Sequence, residues 1–172
     1  MNTYVLVYDS FVQFEVMLAA YFLKTAGPVH TLGLSREAVV SAEDFSVNPS
    51  VDLLSADVGS IDVLVIPGGD TEELKSHAGL LELIRTLSDQ GKPVAAICGG
   101  VSVLQAAGVL EGRAHVDDGS TADSVVLSGH ILTARPNGYV DFALELGRLL
   151  NIYKDEADLQ ETIDFFKHFK PV

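Results

Sequence analysis

The stretch Pro93–Gly108, PVAAICGGVSVLQAAG, limits the possible folds more than any other part of the chain. Val94 to Ile97 is apolar without polar alternation, the pattern of a parallel strand buried on both faces. Val101, Leu104 and Gln105 then begin a helical period that Gly108 can end. Cys98, the only cysteine among 172 residues, therefore falls where a strand turns directly into a helix. A nucleophile on so tight a turn needs small residues two positions away on each side, because a larger side chain would meet the turn itself. Ala96 and Gly100 occupy those positions. Gly99 and Gly100 let the backbone come close to a substrate, and the N–H groups and dipole of the following helix favour a thiolate. A lone cysteine is commonly just a small buried apolar residue. A core cysteine, however, has no need of the small flanking residues, and Cys98 is expected to be a reactive thiol of lowered pKa.

The rest of the chain repeats the alternation of strand and helix. Tyr4–Tyr8, Val29–Leu34, Val63–Ile66 and Val94–Ile97 read as inner strands. Phe14–Ala26, stopped by Gly27-Pro28, and Leu80–Asp89, stopped by Gly91, read as helices. Residues 36–50 suggest a hairpin excursion around Val39 and Phe45. Beyond Gly108 the elements are shorter: Arg113–Val116, Val125–Leu127, a Ser128-Gly129 turn and Ile131–Ala134. Asn137 is then expected to cap a helix over Tyr139–Leu150, and Ala157–Lys167 to form a last amphipathic helix. Continuously apolar strands alternating with helices predict an α/β fold, a mostly parallel sheet covered on both faces, within one domain over residues 1–172. Ligands of such sheets bind beyond the carboxyl ends of the strands. Here those ends carry Asp9-Ser10, Pro67-Gly68-Gly69-Asp70 and Cys98-Gly99-Gly100.

A net charge of −13 argues against nucleic acid and anionic membranes as partners. No stretch approaches the roughly 18 apolar residues of a membrane span, and MNTYVLVYDS lacks the basic and long apolar regions of a signal peptide, so a soluble cytoplasmic protein is expected. One cysteine leaves no intrachain disulfide.

Glu15 stands three, four and seven residues before Leu18, Ala19 and Phe22, and so on an apolar helical stripe. Buried there, a carboxyl would have its pKa raised and could keep a proton to donate to a nearby thiolate; a solvated place at the helix N-terminus is the alternative. Gly68-Gly69 could offer N–H groups toward the same point as Gly99, the requirement for an oxyanion hole. His30, His77, His130 and His168 fall where ordinary structural histidines are expected. His115, 17 positions after Cys98 on the strand expected after the elbow helix, is the candidate base or imidazolium partner. No cluster has metal-ligand spacing and no dinucleotide or phosphate loop occurs, so neither metal nor cofactor is indicated.

Together, YVLVYDSFVQFE with Glu15, VLVIPGG, AAICGGVSVLQAAGVLEG and ILTARPNGYVDFALELG resemble the ThiJ/PfpI superfamily, which is related to class I glutamine amidotransferase domains and to the parkinsonism-linked deglycase. The resemblance covers nearly the whole chain. It implies a flavodoxin-like three-layer sandwich with a nucleophile elbow, Cys98 as the reactive thiol, Glu15 as its carboxylate partner, and Gly69 with Gly99 as the oxyanion-stabilising backbone. It also implies a homodimer. Two departures stand out. Gly99 occupies the place of the histidine that follows the cysteine in protease-like members. The stretch GRAHVDDGSTADSVV, where other members carry a histidine, is shortened, with Asp117 and Asp118 near that place. The implied function is a glyoxalase III- or deglycase-like attack of the Cys98 thiolate on small reactive carbonyls. A redox-sensing or stress-protective protein with an oxidisable Cys98 is the alternative, and an amidase or glutamine amidotransferase-like hydrolase acting on an amide comes third.

Overall fold

The computed structural model describes residues 1–119 and 121–171. Nine strands form in chain order: β1 (Thr3–Leu6), β2 (Val29–Gly33), β3 (Val39–Val40), β4 (Ser46–Val47), β5 (Val51–Asp52), β6 (Val63–Ile66), β7 (Val94–Ile97), β8 (Val125–Ser128) and β9 (Ile131–Ala134). The α-helices are α1 (Phe14–Leu23), α2 (Ala78–Asp89), α3 (Gly100–Ala106), α4 (Tyr139–Leu149) and α5 (Glu156–Phe166). Seven strands make one sheet in the order β5-β2-β1-β6-β7-β9-β8, parallel except for the antiparallel β8–β9 pair. β1, β6, β7 and β9 are buried at every position, as expected of inner parallel strands of mostly apolar sequence.

Side chains leave these strands alternately to the two faces and make two cores. Leu6, Leu64, Ile66, Val94 and Ala96 meet Leu80, Ile84 and Leu87 of α2 and Val103 and Leu104 of α3. Val5, Val63, Val65, Ala95 and Ile97 meet Val16, Ala19 and Phe22 of α1 and Phe142, Ala143 and Leu146 of α4, with Ile163 and Phe166 of α5 packed outside. The result is the three-layer α/β sandwich that the strand pattern predicts. The chain leaves β1 toward β2 on one side and returns to β6 on the other, so the carboxyl ends of β1 and β6 open the crevice where such sheets hold ligands.

The predicted hairpin is the β3–β4 pair, paired Val39 to Val47 and Val40 to Ser46. It docks on the turn after β1: Asp9 Oδ1 accepts from the Val40 N–H at 2.9 Å, the Ser10 N–H donates to the Val40 carbonyl at 2.7 Å, and the Ala42 N–H to the Phe11 carbonyl at 2.9 Å.

Two local expectations are corrected. Arg113–Val116 is not a strand, because the β9 edge it would need is already occupied by β8; the Val116 N–H bonds the Thr133 side-chain Oγ1 instead. Asn137 does not cap α4. A 3-10 turn begins at Pro136, whose fixed φ suits a first helical position, and Gly138 precedes α4 without a side-chain cap.

Candidate active site around Cys98

β7 delivers Cys98 to the sheet's carboxyl edge and α3 begins two residues later, so the chain must reverse within one residue. Cys98 does this at φ 56°, a left-handed conformation that is strained for a side chain with a Cβ. The turn is held from outside by the Cys98 N–H, which donates to the Ala134 carbonyl at 2.9 Å as a continuation of the β7–β9 ladder. The small neighbours are needed for packing as well. A Cβ on Gly100 would lie 2.5 Å from the Ile66 carbonyl oxygen and 2.8 Å from that of Pro67.

Glu15, in the first turn of α1, reaches the sulfur from the connection after β1, across the end of β6. Its residue exposure is 2%. The carboxyl lies beside the Cys98 thiol, and its Oε2 accepts the Gly68 N–H at 2.8 Å. Gly68 is the floor between them: a Cβ there would lie 2.7 Å from Cys98 Cβ and 2.8 Å from both Sγ and Glu15 Oε2. Burial pushes Glu15 above the ordinary carboxylate range, against the Gly68 and Cys98 hydrogen bonds that favour its anion, and the charge of Glu43 adds to the rise. Burial also pushes the Cys98 thiol up, and the facing Glu15 carboxylate pushes it further, while the Gly99 N–H favours the thiolate. The expected low-pKa thiol is thus corrected. The seven-residue α3 and the Gly99 N–H are outweighed first by burial of the thiol and then by the facing Glu15 carboxylate. The two groups act unequally on each other: Glu15 raises the proton affinity of the Cys98 thiol, whereas Cys98 favours the Glu15 anion, whose rise comes from burial.

The two glycine corners face one another. A Cβ on Gly99 would lie 3.1 Å from the Gly69 carbonyl oxygen and 3.5 Å from the Gly69 nitrogen. Gly69 itself has φ 138° and passes so close to the β1–α1 turn that a Cβ would meet the Ser10 carbonyl oxygen at 2.5 Å. That turn is tied to the same corner by the Val12 N–H to the Gly68 carbonyl at 2.8 Å and the Asp70 N–H to Ser10 Oγ at 3.1 Å.

His115 is turned toward its own loop. Its Nδ1 lies 2.9 Å from the Arg113 carbonyl oxygen and 3.9 Å from Asp118 Oδ2, and its N–H donates to that same Oδ2 at 3.0 Å. Asp117 accepts from Arg135 Nε at 2.9 Å. Among the described residues no group of three or more His, Cys, Asp or Glu side chains could hold a metal ion, and no helix is long and apolar enough to cross a membrane.

Sequence reasoning missed Tyr8 and Glu43. Tyr8, at the end of the first apolar run, is 5% exposed and its Oη donates to the Pro67 carbonyl at 3.1 Å. Glu43 closes the N-terminus of α1 from the hairpin loop, accepting the Gln13 and Phe14 N–H groups at 3.0 and 2.9 Å. Tyr8 also lines a cleft of about 630 Å³ with Asp9, Ser10, Glu37, Asp70 and Glu73, which neither Glu15 nor Cys98 lines.

A parallel-sheet sandwich whose lone cysteine sits strained on a strand-to-helix turn, with a buried carboxyl at its sulfur, defines a nucleophile-elbow cysteine protein of the α/β class. The chain belongs to the DJ-1/PfpI family, whose model matches residues 1–148. Among curated relatives, a deglycase of Thermococcus kodakarensis is 28% identical over 131 residues, 75% of this chain and 79% of the relative. A DJ-1 superfamily protein of Agrobacterium tumefaciens superposes with a TM-score of 0.84 at 25% identity, covering 99% of this chain and 100% of that one. A ThiJ/PfpI family protein of Bacillus anthracis superposes with a TM-score of 0.87 at 21% identity, covering 98% and 92%.

Proposed function

We propose that the protein is a cysteine-dependent enzyme acting on small reactive carbonyls, in the manner its deglycase-named relatives suggest. The observation that carries the reading is the placement of the buried Glu15 carboxyl, held by the Gly68 N–H, beside the Cys98 thiol. A carboxylate raised toward neutrality is a stronger base than one in water, and it already touches the thiol whose proton must leave. On methylglyoxal, Cys98 Sγ attacks the aldehyde carbon; the C–S bond forms as the C=O π pair moves to oxygen. The thiol proton passes to Glu15 and on to that oxygen, giving a hemithioacetal. Glu15 then removes the aldehyde-derived C–H as a proton and returns it at the adjacent carbon, while the hydroxyl proton moves to the neighbouring oxygen. The product is a lactoyl thioester. Water hydrolyses it to lactate and frees the thiol. We assign the N–H groups of Gly69 and Gly99 to the oxygen that gains charge, a role in which one donor is typically worth about a hundredfold or more in rate. Glu15 carries the proton transfers in this reading, and His115 stays with Arg113 and Asp118. The carboxylates of the adjoining cleft disfavour phosphate-bearing carbonyls and suit neutral ones.

The competing reading is a redox-sensing or protective thiol. Intact-protein mass spectra after graded peroxide and after methylglyoxal separate the two. Carbonyl chemistry predicts a transient adduct on Cys98 with methylglyoxal, whereas stepwise oxygen uptake with no adduct supports the sensor.

We further propose that the protein works as a homodimer. α1 leaves Phe14, Met17 and Tyr21 50%, 52% and 66% exposed, an apolar face unusual for an isolated surface helix. Sedimentation velocity should show a dimer that Met17→Asp converts to a folded monomer; a wild-type monomer rejects it.

A further inference from the structure

The peptide unit joining Pro67 to Gly68 is held at both of its ends. Tyr8 Oη donates to its carbonyl oxygen at 3.1 Å, and its N–H donates to Glu15 Oε2 at 2.8 Å. The three groups come from three places in the chain: the end of the β1 run, the corner after β6 and the first turn of α1. All are shielded from water; Tyr8 is 5% and Glu15 2% exposed. Hydrogen bonds in series through one amide polarise each other, because a donor at the carbonyl withdraws electron density from the nitrogen and makes its N–H a stronger donor.

We propose that Tyr8 is a positioning residue of the site, acting on Glu15 through the Pro67–Gly68 peptide to set how firmly the carboxyl holds its proton. The phenol holds the peptide plane so that the Gly68 N–H points at Oε2, and it strengthens that N–H. Both effects favour the carboxylate, the form that can take the thiol proton. Burial and the surrounding negative charges of Glu15, Cys98 and Asp70 keep the phenol well above its ordinary pKa, so Tyr8 is a constant donor while Glu15 titrates. The other charged or titratable groups facing Glu15 are Cys98 at the end of β7 and Glu43 from the β3–β4 hairpin. Neither hydrogen-bonds Tyr8, so both remain when its hydroxyl is removed.

The proposal takes the Glu15–Cys98 pair as the working centre, and its readout requires no turnover, so it fails or succeeds separately from the carbonyl reading. The experiment is a carboxyl 13C NMR titration of glutamate-labelled protein, with the Glu15 signal assigned by its loss in Glu15→Gln. Tyr8→Phe should shift the Glu15 midpoint upward, because the Gly68 N–H becomes a weaker donor. A 3-fluorotyrosine placed at position 8, a stronger donor of the same shape, should shift it downward. No shift in Tyr8→Phe overturns the proposal. So does a downward shift, which is what loosened packing and water entry would produce. Shifts of the same sign in both variants overturn it as well.

Discussion

Glu15 and Cys98 meet side chain to side chain although 83 positions separate their numbers; burial makes both harder to ionise, and Glu15 raises the thiol further. The pair is therefore best treated as one proton shared between an oxygen and a sulfur, with Gly68 and Gly99 supplying N–H groups to the two anions. The proposed reaction requires that proton to move, and the consequences are measurable.

Removing the Glu15 charge should stabilise the fold at neutral pH. The folded protein holds the Glu15 proton more tightly than the unfolded chain does. The contribution is therefore present at low pH and is lost as pH rises from the ordinary glutamate value of about 4.3 through the raised folded value. Glu15→Gln has no such loss. Its melting temperature should exceed that of wild type at neutral pH, with the gap closing as pH falls toward 4. A variant less stable than wild type at pH 7 contradicts the assignment.

The same substitution should make the thiol easier to ionise. A neutral amide removes the facing charge and can still accept the Gly68 N–H while donating to sulfur. The pH midpoint of Cys98 alkylation by iodoacetamide should move down in Glu15→Gln. An upward move would show that wild-type Glu15 keeps the shared proton and supports the thiolate.

Gly68→Ala tests the floor of the site. Its Cβ would press on Cys98 and on Glu15 Oε2 at under 3 Å. Overpacking of this kind costs about 1–3 kcal/mol, and a misplacement of about 1 Å at a reacting centre can cost on the order of a hundredfold in turnover. Chemical denaturation and the alkylation rate would both register it. Wild-type stability together with wild-type alkylation would mean that the corner is looser than described.

Much of this was legible from residues close together in the chain. The elbow could be read because its requirements lie within five positions, Ala96 to Gly100. The inward turn of Glu15 could be read from the helical spacing to Leu18, Ala19 and Phe22. Tyr8 and Glu43 escaped for the opposite reason. Their partners Pro67, Gln13 and Phe14 lie 59, 30 and 29 positions away, and only the adjacency of β1 to β6 and the docking of the hairpin bring them together. The expected strand at Arg113–Val116, which would carry His115, depends on a free sheet edge, and β8 occupies the edge beside β9. The lowered thiol pKa failed on magnitude. A helix N-terminus is visible in sequence, but the larger opposing effect, burial of the thiol, is set by the whole fold.

The most direct test of the central claim is lactate release from methylglyoxal at neutral pH by wild type, Cys98→Ser and His115→Ala. Attack by Cys98 with Glu15 as its proton acceptor predicts lactate from wild type, only the uncatalysed background from Cys98→Ser, and a rate within a few-fold of wild type from His115→Ala, since general-base roles are commonly worth roughly a hundredfold or more. Equal rates from wild type and Cys98→Ser, whether both active or both at background, would contradict it.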